Sequence, residues 1–242
     1  MRYQGARTIV TGGASGIGAA TVERLAAEGA MVAVVDIDEP RARAVADAVA
    51  GLSARLDLAD HESIPGVASA LIEELGGLEL LVNCAGWDLA KPFEDTSPDF
   101  WRKVVDINLL GPIALTHALL PSMSDGSAIV NVSSDAGRVG SSGEVVYSGA
   151  KAGIIGFSKA LAREVAPRQI RVNVVAPGPT DTPFLAAFDE SGRLAAAMEK
   201  QTPLRKLATP GDVASAIAFL GSSEAGHITG QVLSVSGGLT MV

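Results

Sequence analysis

The sequence has one cysteine, few aromatic residues and no long uninterrupted apolar run. Cys84 alone cannot form an intramolecular disulfide, and no cysteine or histidine cluster has the spacing of a zinc site, so we expect no metal. Aromatic residues make up 4% of the 242 residues, whereas Ala and Gly are abundant, which suits helices packed closely on a sheet. The N-terminal MRYQGARTIV lacks the apolar region of a signal peptide, and we expect no apolar stretch long enough to span a bilayer. These absences favour a cytoplasmic protein with no membrane partner.

The chain also has fewer positively charged than negatively charged residues. It has 19 Lys and Arg residues against 27 Asp and Glu residues, a formal net charge of −8. This balance argues against nucleic acid as the main partner. Charged residues make up 19% and hydrophobic residues 48%, which excludes a disordered chain. The mean hydropathy of +0.30 is high for a small monomer and favours helical faces buried between subunits.

Short apolar runs alternate with longer amphipathic segments along the chain. Runs such as MVAVVD (31–36) lack polar alternation, as expected of strands covered on both faces of a parallel sheet. The alternation predicts an α/β Rossmann fold in a single domain over residues 1–242, with a doubly wound seven-stranded parallel sheet and helices on both faces. The expected strands are 6–10, 31–36, 52–56, 78–83, 128–133, 170–175 and 231–235. The expected helices are 15–29, 40–50, 61–75, 98–123, 146–166 and 210–220.

The stretch 177–209 breaks this rhythm. It contains several prolines, and its expected helical core, 184–200, carries mixed charge. Long insertions in compact domains are often functional lids. We therefore expect a substrate lid at about 180–208, with Phe184 and Phe188 on its apolar inner face.

A glycine-rich loop, Thr11 to Gly18, joins the first strand to the first helix. Its glycines permit a tight turn and close approach of the backbone to a diphosphate, and the helix N-terminus supplies free N–H groups. Asp36 ends the second strand, where a carboxylate can accept hydrogen bonds from the adenosine ribose and repel a 2′-phosphate. No Arg or Lys occupies positions 13, 14 or 37. These features predict NAD rather than NADP.

Two further strand ends fall at the same carboxyl edge of the sheet. Asn83 to Gly86 ends the fourth strand, at the edge where ligands bind in such sheets. Asp57 follows the third strand and is placed to cap the adenine. An ordinary acid near a helix is the alternative interpretation of Asp57.

Tyr147 and Lys151 lie one turn apart on an expected helix and share a face. A Lys ammonium near a phenol favours the phenolate and lowers the pKa of the tyrosine, which makes it a usable acid and base. Ser134 ends the fifth strand and can hydrogen-bond a substrate oxygen. A Tyr-x-x-x-Lys pair alone is common and carries little information.

Together these motifs resemble those of the short-chain dehydrogenase/reductase family over essentially the whole chain. Thr11 to Gly18 matches T-G-x-x-x-G-x-G, and Asn83 to Gly86 matches N-N-A-G with Cys84 as the one departure. Tyr147 lies thirteen residues after Ser134, which is the family spacing. The family's P-G followed by a threonine is matched by Pro177, Gly178 and Thr182, and its active-site asparagine by Asn108.

The resemblance implies a role for each matched residue. Ser134 would position the substrate oxygen, Tyr147 would exchange its proton, and Lys151 would hold the nicotinamide ribose. Asn108 would anchor a water that links Lys151 to solvent. A homotetramer with 222 symmetry is also implied. The expected cofactor-binding residues are Gly12, Ser15, Gly16, Ile17, Gly18, Asp36, Asp57, Leu58, Asn83, Ala85, Gly86, Tyr147, Lys151, Pro177, Gly178, Thr180 and Thr182.

The sequences of several segments indicate which class of substrate the protein uses. Residues 150–178 resemble 3-oxoacyl-thioester reductases of the family, whereas 86–93, 134–147, 177–184 and 226–242 resemble its dehydrogenases for an alicyclic 2-hydroxyacyl-CoA. The loop SMSDGSA before the fifth strand lacks the basic residues that an acidic acyl-carrier protein needs. We expect NAD-dependent interconversion of a 3-hydroxyacyl and 3-oxoacyl thioester, or of an alicyclic 2-hydroxyacyl-CoA. The alternatives are a 3-oxoacyl-ACP reductase, a sugar, polyol or small secondary-alcohol dehydrogenase, and a silent NAD(H)-binding regulator.

Four further residues are expected at the substrate. Trp87 would form a wall of the pocket and Arg138 would reach an acidic group such as a CoA phosphate. A packed loop tryptophan and a solvated arginine are the alternative interpretations. Gly140 lies in the loop before Tyr147. Glu144 lies on the pocket side of the helix start, or is an acid stabilised there by the helix dipole.

Overall fold

Seven short apolar runs form one parallel sheet in the computed structural model, which describes residues 1–187, 189 and 192–242. The strand order is 3-2-1-4-5-6-7, and every adjacent pair is parallel. The predicted Rossmann architecture is therefore confirmed. The strands are β1 (Arg7–Thr11), β2 (Met31–Asp36), β3 (Leu52–Arg55), β4 (Leu78–Asn83), β5 (Met123–Val132), β6 (Arg171–Pro177) and β7 (Val232–Val235).

Helices cover both faces of the sheet because successive strand residues point to opposite sides. Val10 and Val34 pack in one core cluster, and Ile9 and Val35 pack in the other. The described helices are α1 (Gly16–Ala27), α2 (Glu39–Ala48), α3 (Ile64–Leu75), α4 (Pro98–Val105), α5 (Gly111–Leu119), α6 (Ala136–Val139), α7 (Val145–Val165), α8 (Pro183–Ala186), α9 (Arg193–Gln201) and α10 (Pro210–Gly221). Helices α1, α2 and α10 contribute to the first cluster, and α3, α5 and α7 to the second.

The strand order reverses between β1 and β4, which creates a crevice at their carboxyl ends. Thr11 and Asn83 are register partners at this edge. The Thr11 hydroxyl accepts hydrogen bonds from the backbone N–H groups of Cys84 (3.1 Å) and Ala85 (3.2 Å). The loops after β1 and β4 are thereby tied together where a ligand would enter.

The expected helix 98–123 is interrupted. A π-helical turn, Asp106–Leu110, separates α4 from α5, and β5 begins at Met123 rather than at residue 128. Pro112 has no N–H to donate to the carbonyl of Asn108 four residues earlier, so the regular α-helical ladder cannot continue there. The interruption places Asn108 on the irregular turn.

Taken together, α4, the π-helical turn, α5 and the short turn that follows (Pro98–Ser122) are long and apolar enough to span a membrane by length and composition alone, with a mean hydropathy of 1.4. The expectation that no stretch reaches that length was therefore wrong. Leu115 and Leu119 of this segment are fully buried in the core cluster shared with α3. The core helix of a globular protein can have the same length and hydropathy.

The segment after β6 folds as two short helices, α8 and α9, instead of one helical core over 184–200. The Thr182 hydroxyl accepts the N–H of Leu185 and so caps α8. Thr180 pairs with Ala208 in an isolated parallel bridge, which holds the two ends of the segment together. The predicted lid residue Phe188 lies outside the described residues.

Candidate active site

A cavity of about 930 Å³ lies at the carboxyl edge of the sheet, where β1 and β4 diverge. Its wall combines the glycine-rich loop, the ends of β2, β4, β5 and β6, and residues of α8 and α9. Most residues that the sequence predicted for the site line it. They are Gly12, Ser15, Gly16, Ile17, Gly18, Asp36, Asp57, Leu58, Ala85, Gly86, Trp87, Ser134, Gly140, Glu144, Tyr147, Lys151, Pro177, Gly178, Thr180, Thr182 and Phe184.

The geometry of the glycine-rich loop fits a dinucleotide diphosphate. Gly12 has φ +67°, and a Cβ there would fall 2.7 Å from the Cα of Ala85. The side chain of Ser15, the N-cap residue, makes no hydrogen bond to the first turn of α1. The cap therefore leaves the N–H groups of that turn unsatisfied, and Gly16, Ile17 and Gly18 line the cavity, where a diphosphate can accept hydrogen bonds from them.

Asp36 holds this loop in place. Its carboxylate accepts the backbone N–H groups of Ala14 and Asp38, both at 3.0 Å. Asp57 is fixed in the same way, because it accepts the N–H of Ala59 at 2.9 Å. Both carboxylates line the end of the cavity where the sequence predicted the adenosine.

Ser134, Tyr147 and Lys151 meet at the centre of the cavity wall. The side chains of Ser134 and Tyr147 are hydrogen-bonded to each other. Lys151 Nζ lies 5.6 Å from the centre of the Tyr147 ring and donates to the carbonyl of Val132 at 3.0 Å. This arrangement places a hydroxyl donor, a phenol and an ammonium around one point.

The pKa of Tyr147 differs from the value that the sequence led us to expect. Burial raises the pKa of Tyr147, and the nearby carboxylates of Glu144 and Asp88 raise it further, whereas the Ser134 hydrogen bond lowers it. Burial lowers the pKa of Lys151 to about 8. Burial of the phenol therefore outweighs the lowering of the Tyr147 pKa that was expected from Lys151.

Asn108 is fully buried beside this group and does not line the cavity. Its amide donates to the carbonyls of Trp87 (2.6 Å) and Val104 (2.8 Å), and its oxygen accepts the N–H of Trp87 (3.1 Å). A Cβ on Gly86 would lie 3.0 Å from Asn108 Oδ1 and 3.3 Å from Lys151 Nζ. Asn108 thus fixes the backbone next to Lys151, and its role in anchoring a water stays a prediction.

The side chain of Asn83 does not line the cavity, and its role as a cofactor-binding residue stays a prediction. Its amide nitrogen donates to Thr116 Oγ1 at 3.1 Å and to Asn131 Oδ1 at 2.8 Å. The side chain therefore joins β4 to α5 and β5 inside the protein.

Arg138 is engaged away from the cavity, which does not favour the predicted contact with a CoA phosphate. Its guanidinium bonds to the Ser234 hydroxyl on β7, and that hydroxyl donates to Asp135 at 2.7 Å. Arg138 does not line the cavity, because the single turn of α6 directs it toward β7.

Two residues at the site were missed from the sequence. Lys103 on α4 lines the cavity one helical turn before Ile107, which lines it too. Helical periodicity would have identified Lys103 once Ile107 was placed.

Asp88 is only 7% exposed, and burial raises its pKa to about 6. No sequence pattern signals Asp88, because its burial comes from the packing of its loop against the start of α7.

Replacing Asp88 by Asn should stabilise the protein at pH 7.5. Asp88 binds its proton more tightly in the folded state, so folding stability falls as the pH rises from about 4 to 6. Asn removes this penalty, and we expect a gain of about 1 to 3 kcal/mol in the free energy of unfolding at pH 7.5. Urea unfolding at pH 4 and pH 7.5 measures the change. The gain should vanish at pH 4, and Asp47→Asn, at an exposed acid on α2, should show none at either pH.

Fold and site together define an oxidoreductase that binds a nicotinamide nucleotide. A family described as Enoyl-(acyl carrier protein) reductase matches residues 12–240. The 3-oxoacyl-(acyl-carrier-protein) reductase FabG of Vibrio cholerae is 38% identical over 246 residues, with both chains fully covered. Cis-4-hydroxycyclohexanecarboxylate dehydrogenase of Sinomonas cyclohexanicum is 43% identical over 242 residues, covering 97% of this chain and 96% of that protein.

A solved structure of a short-chain dehydrogenase is also similar to this chain. A short-chain dehydrogenase of Burkholderia cenocepacia in complex with NADP has a TM-score of 0.93 and 34% identity, with 99% of each chain covered. The chain belongs to the short-chain dehydrogenase/reductase family. Its activity is that of an oxidoreductase that interconverts a secondary alcohol and a ketone.

Proposed function

We propose that this protein uses NAD to oxidise a secondary alcohol carried on an acyl thioester, either a 3-hydroxyacyl thioester or an alicyclic 2-hydroxyacyl-CoA. The observation that carries the proposal is one cavity that joins Ser134, Tyr147 and Lys151 to the Asp36 carboxylate. The nicotinamide, when bound, accepts the hydride. The residues of the chain orient the alcohol and handle its proton.

Each residue of the site has a defined task in this reaction. The Ser134 hydroxyl donates to the substrate oxygen and holds it against Tyr147. Tyr147 takes the hydroxyl proton as the carbonyl forms. The high pKa of the buried phenol means that its anion needs a nearby positive charge, and the Lys151 ammonium supplies it. Phe184, whose ring centre lies 6.3 Å from that of Tyr147, forms an apolar part of the cavity wall beside the reacting oxygen.

Asp36 supports NAD as the cofactor. Its carboxylate is fixed by two backbone N–H groups at the adenosine end of the cavity, and the next residue is Ile37 rather than a cation. A 2′-phosphate would meet a negative charge that cannot move away. The NADP bound by the solved relative is the cofactor of that protein. It does not change the repulsion that we expect between Asp36 and a 2′-phosphate in this protein.

The apolar cavity wall supports an acyl or alicyclic substrate. The lid side contributes Phe184, Leu185, Leu194 and Met198, and the opposite side contributes Trp87. An apolar wall favours a hydrocarbon ring or chain beside the reacting carbon over a polyol. The relative that acts on cis-4-hydroxycyclohexanecarboxylate agrees with a ring-shaped alcohol.

A 3-oxoacyl-ACP reductase is the second candidate, favoured by the FabG relatives. An acidic carrier protein needs free cations to dock. Arg168, a basic residue beside the loop SMSDGSA, bonds Asp125 of that loop at 3.1 Å and the carbonyl of Leu120 at 3.0 Å. Because this cation is already engaged, we place the ACP-linked substrate second. The homotetramer, the cytoplasmic setting and the lid over about 180–208 stay predictions.

A substrate panel tests the proposed function. We expect NAD-linked oxidation of 3-hydroxybutyryl-CoA or 2-hydroxycyclohexane-1-carboxyl-CoA with kcat/KM at least tenfold above that for polyols and simple secondary alcohols. Faster turnover of a polyol would move the assignment to the sugar or polyol dehydrogenases. NADH binding without turnover of any alcohol would favour the silent regulator.

A further inference from the structure

Two lysines flank a pair of aromatic rings beside the active-site cavity, of which Lys103 and Trp87 line the cavity itself, whereas Lys91 and Phe100 border an adjoining small pocket. Lys103 Nζ lies 3.9 Å from the centre of the Trp87 ring, and Lys91 Nζ lies 4.3 Å from the centre of the Phe100 ring. The two rings contact each other, with centres 5.7 Å apart. We call these four residues the lysine–aromatic patch.

Neither ammonium forms an ion pair with a carboxylate among the residues that the structure describes. The nearby Asp99 is bonded to Arg102 at 2.6 Å, and Asp88 has only a longer-range electrostatic interaction with Lys91. Cation–π contacts hold both side chains in place without neutralising their charge. The patch is therefore preorganised for an anion.

The position of the patch connects it to the substrate. Trp87 and Lys103 line the same cavity as Tyr147, and Lys103 shares a helix face with the cavity-lining Ile107. The backbone N–H of Lys91 donates to Gly143 at 2.9 Å, which pins this loop to the loop before α7. A molecule that reaches Tyr147 along this wall passes Lys103 and Trp87, with Lys91 on the adjoining loop.

The charged residues of the cavity wall show why Lys103 is important for binding an anion. Among its described lining residues, Asp36, Asp57, Asp135 and Glu144 are acidic, whereas the cations are Lys103 and the buried Lys151. The N-terminus of α1 already provides for the diphosphate of the dinucleotide. Lys103 is thus the exposed lining cation that remains for a second anionic molecule.

We propose that Lys91 and Lys103 of the lysine–aromatic patch bind the phosphate groups of the CoA part of the substrate. This rests on the proposed function and replaces the contact that the sequence assigned to Arg138. The phosphates lie against the two ammonium groups while the acyl part extends along Trp87 to Tyr147. Exposed ion pairs are individually weak and are screened by salt, so we expect a moderate, salt-dependent effect.

Substrate kinetics test the patch. We expect the variant with Lys91→Gln and Lys103→Gln to lose about three- to tenfold in kcat/KM for a 3-hydroxyacyl-CoA, mainly through KM. The N-acetylcysteamine thioester of the same acid, which carries no phosphate, should be used equally well by the variant and the wild type. Lys206→Gln, at an exposed lysine outside the cavity wall, should change neither. An equal loss on both thioesters, or a raised KM for NAD, would overturn the proposal.

Direct binding separates this proposal from the proposed function. Isothermal titration of the whole protein with free CoA should show binding that the double variant weakens about three- to tenfold, with a smaller loss for dephospho-CoA. This result is expected even if no thioester is turned over. Equal affinity of wild type and variant for CoA, or no binding by the wild type at millimolar CoA, would refute the patch as a CoA site.

Discussion

Replacement of Tyr147 by Phe is expected to lower kcat by about a thousandfold while the affinity for NADH stays within about twofold. Proton transfer by a positioned side chain contributes about 10² to 10⁴ in rate. Phe keeps the buried ring beside Phe184 but removes the hydroxyl that is hydrogen-bonded to Ser134. Steady-state turnover and NADH fluorescence titration measure the two quantities on the same preparation.

The chain provides a matched control, because its second tyrosine is equally buried and lies away from the cavity. The Tyr3 hydroxyl donates to the carbonyl of Ala218 at 2.6 Å. Tyr3→Phe should cost about 1 kcal/mol in the free energy of unfolding and leave kcat unchanged. Near-wild-type turnover by Tyr147→Phe would show that another group exchanges the proton.

A change of cofactor preference is the second large effect. In the variant with Asp36→Asn and Ile37→Arg, we expect the ratio of kcat/KM for NAD to that for NADP to fall by about a hundredfold or more. Asn removes the charge that repels a 2′-phosphate, and its amide oxygen can still accept a backbone N–H from the loop. The new arginine supplies a charge-assisted hydrogen bond.

Asp38→Ala is the control for this experiment. Asp38 is an acid two residues later that caps α2 and does not line the cavity. It should lower stability by about 1 kcal/mol and leave the cofactor ratio unchanged. A wild type that prefers NADP, or a variant that keeps its preference for NAD, would contradict the role given to Asp36.

The fold could be predicted from the sequence because its signals are local. Strand β4 occupies the predicted residues 78–83, since a mainly apolar run with one charged residue, Glu79, follows Gly76 and Gly77 and ends at Asn83. Gly76 ends α3 with φ +77°, a conformation that favours glycine. The glycine-rich loop and the Tyr-x-x-x-Lys pair are likewise written in short stretches of chain.

The features that the sequence could not supply depend on residues that are distant along the chain. The direction of Arg138 is set by Ser234 on β7, and the side chain of Asn83 is held by α5 and β5. The pKa of Tyr147 depends on burial and on the carboxylates of Asp88 and Glu144. Spacing in the sequence carries no information about which of these groups will lie nearby.

Isotope transfer tests the central claim most directly. The protein is incubated with NAD and the best alcohol of the substrate panel, deuterated at the carbinol carbon, and the NADH formed is examined by mass spectrometry. Direct oxidation of a secondary alcohol predicts one deuterium at C4 of the nicotinamide in each NADH and a ketone product. NADH without deuterium, or deuterium released to the solvent, would contradict the account.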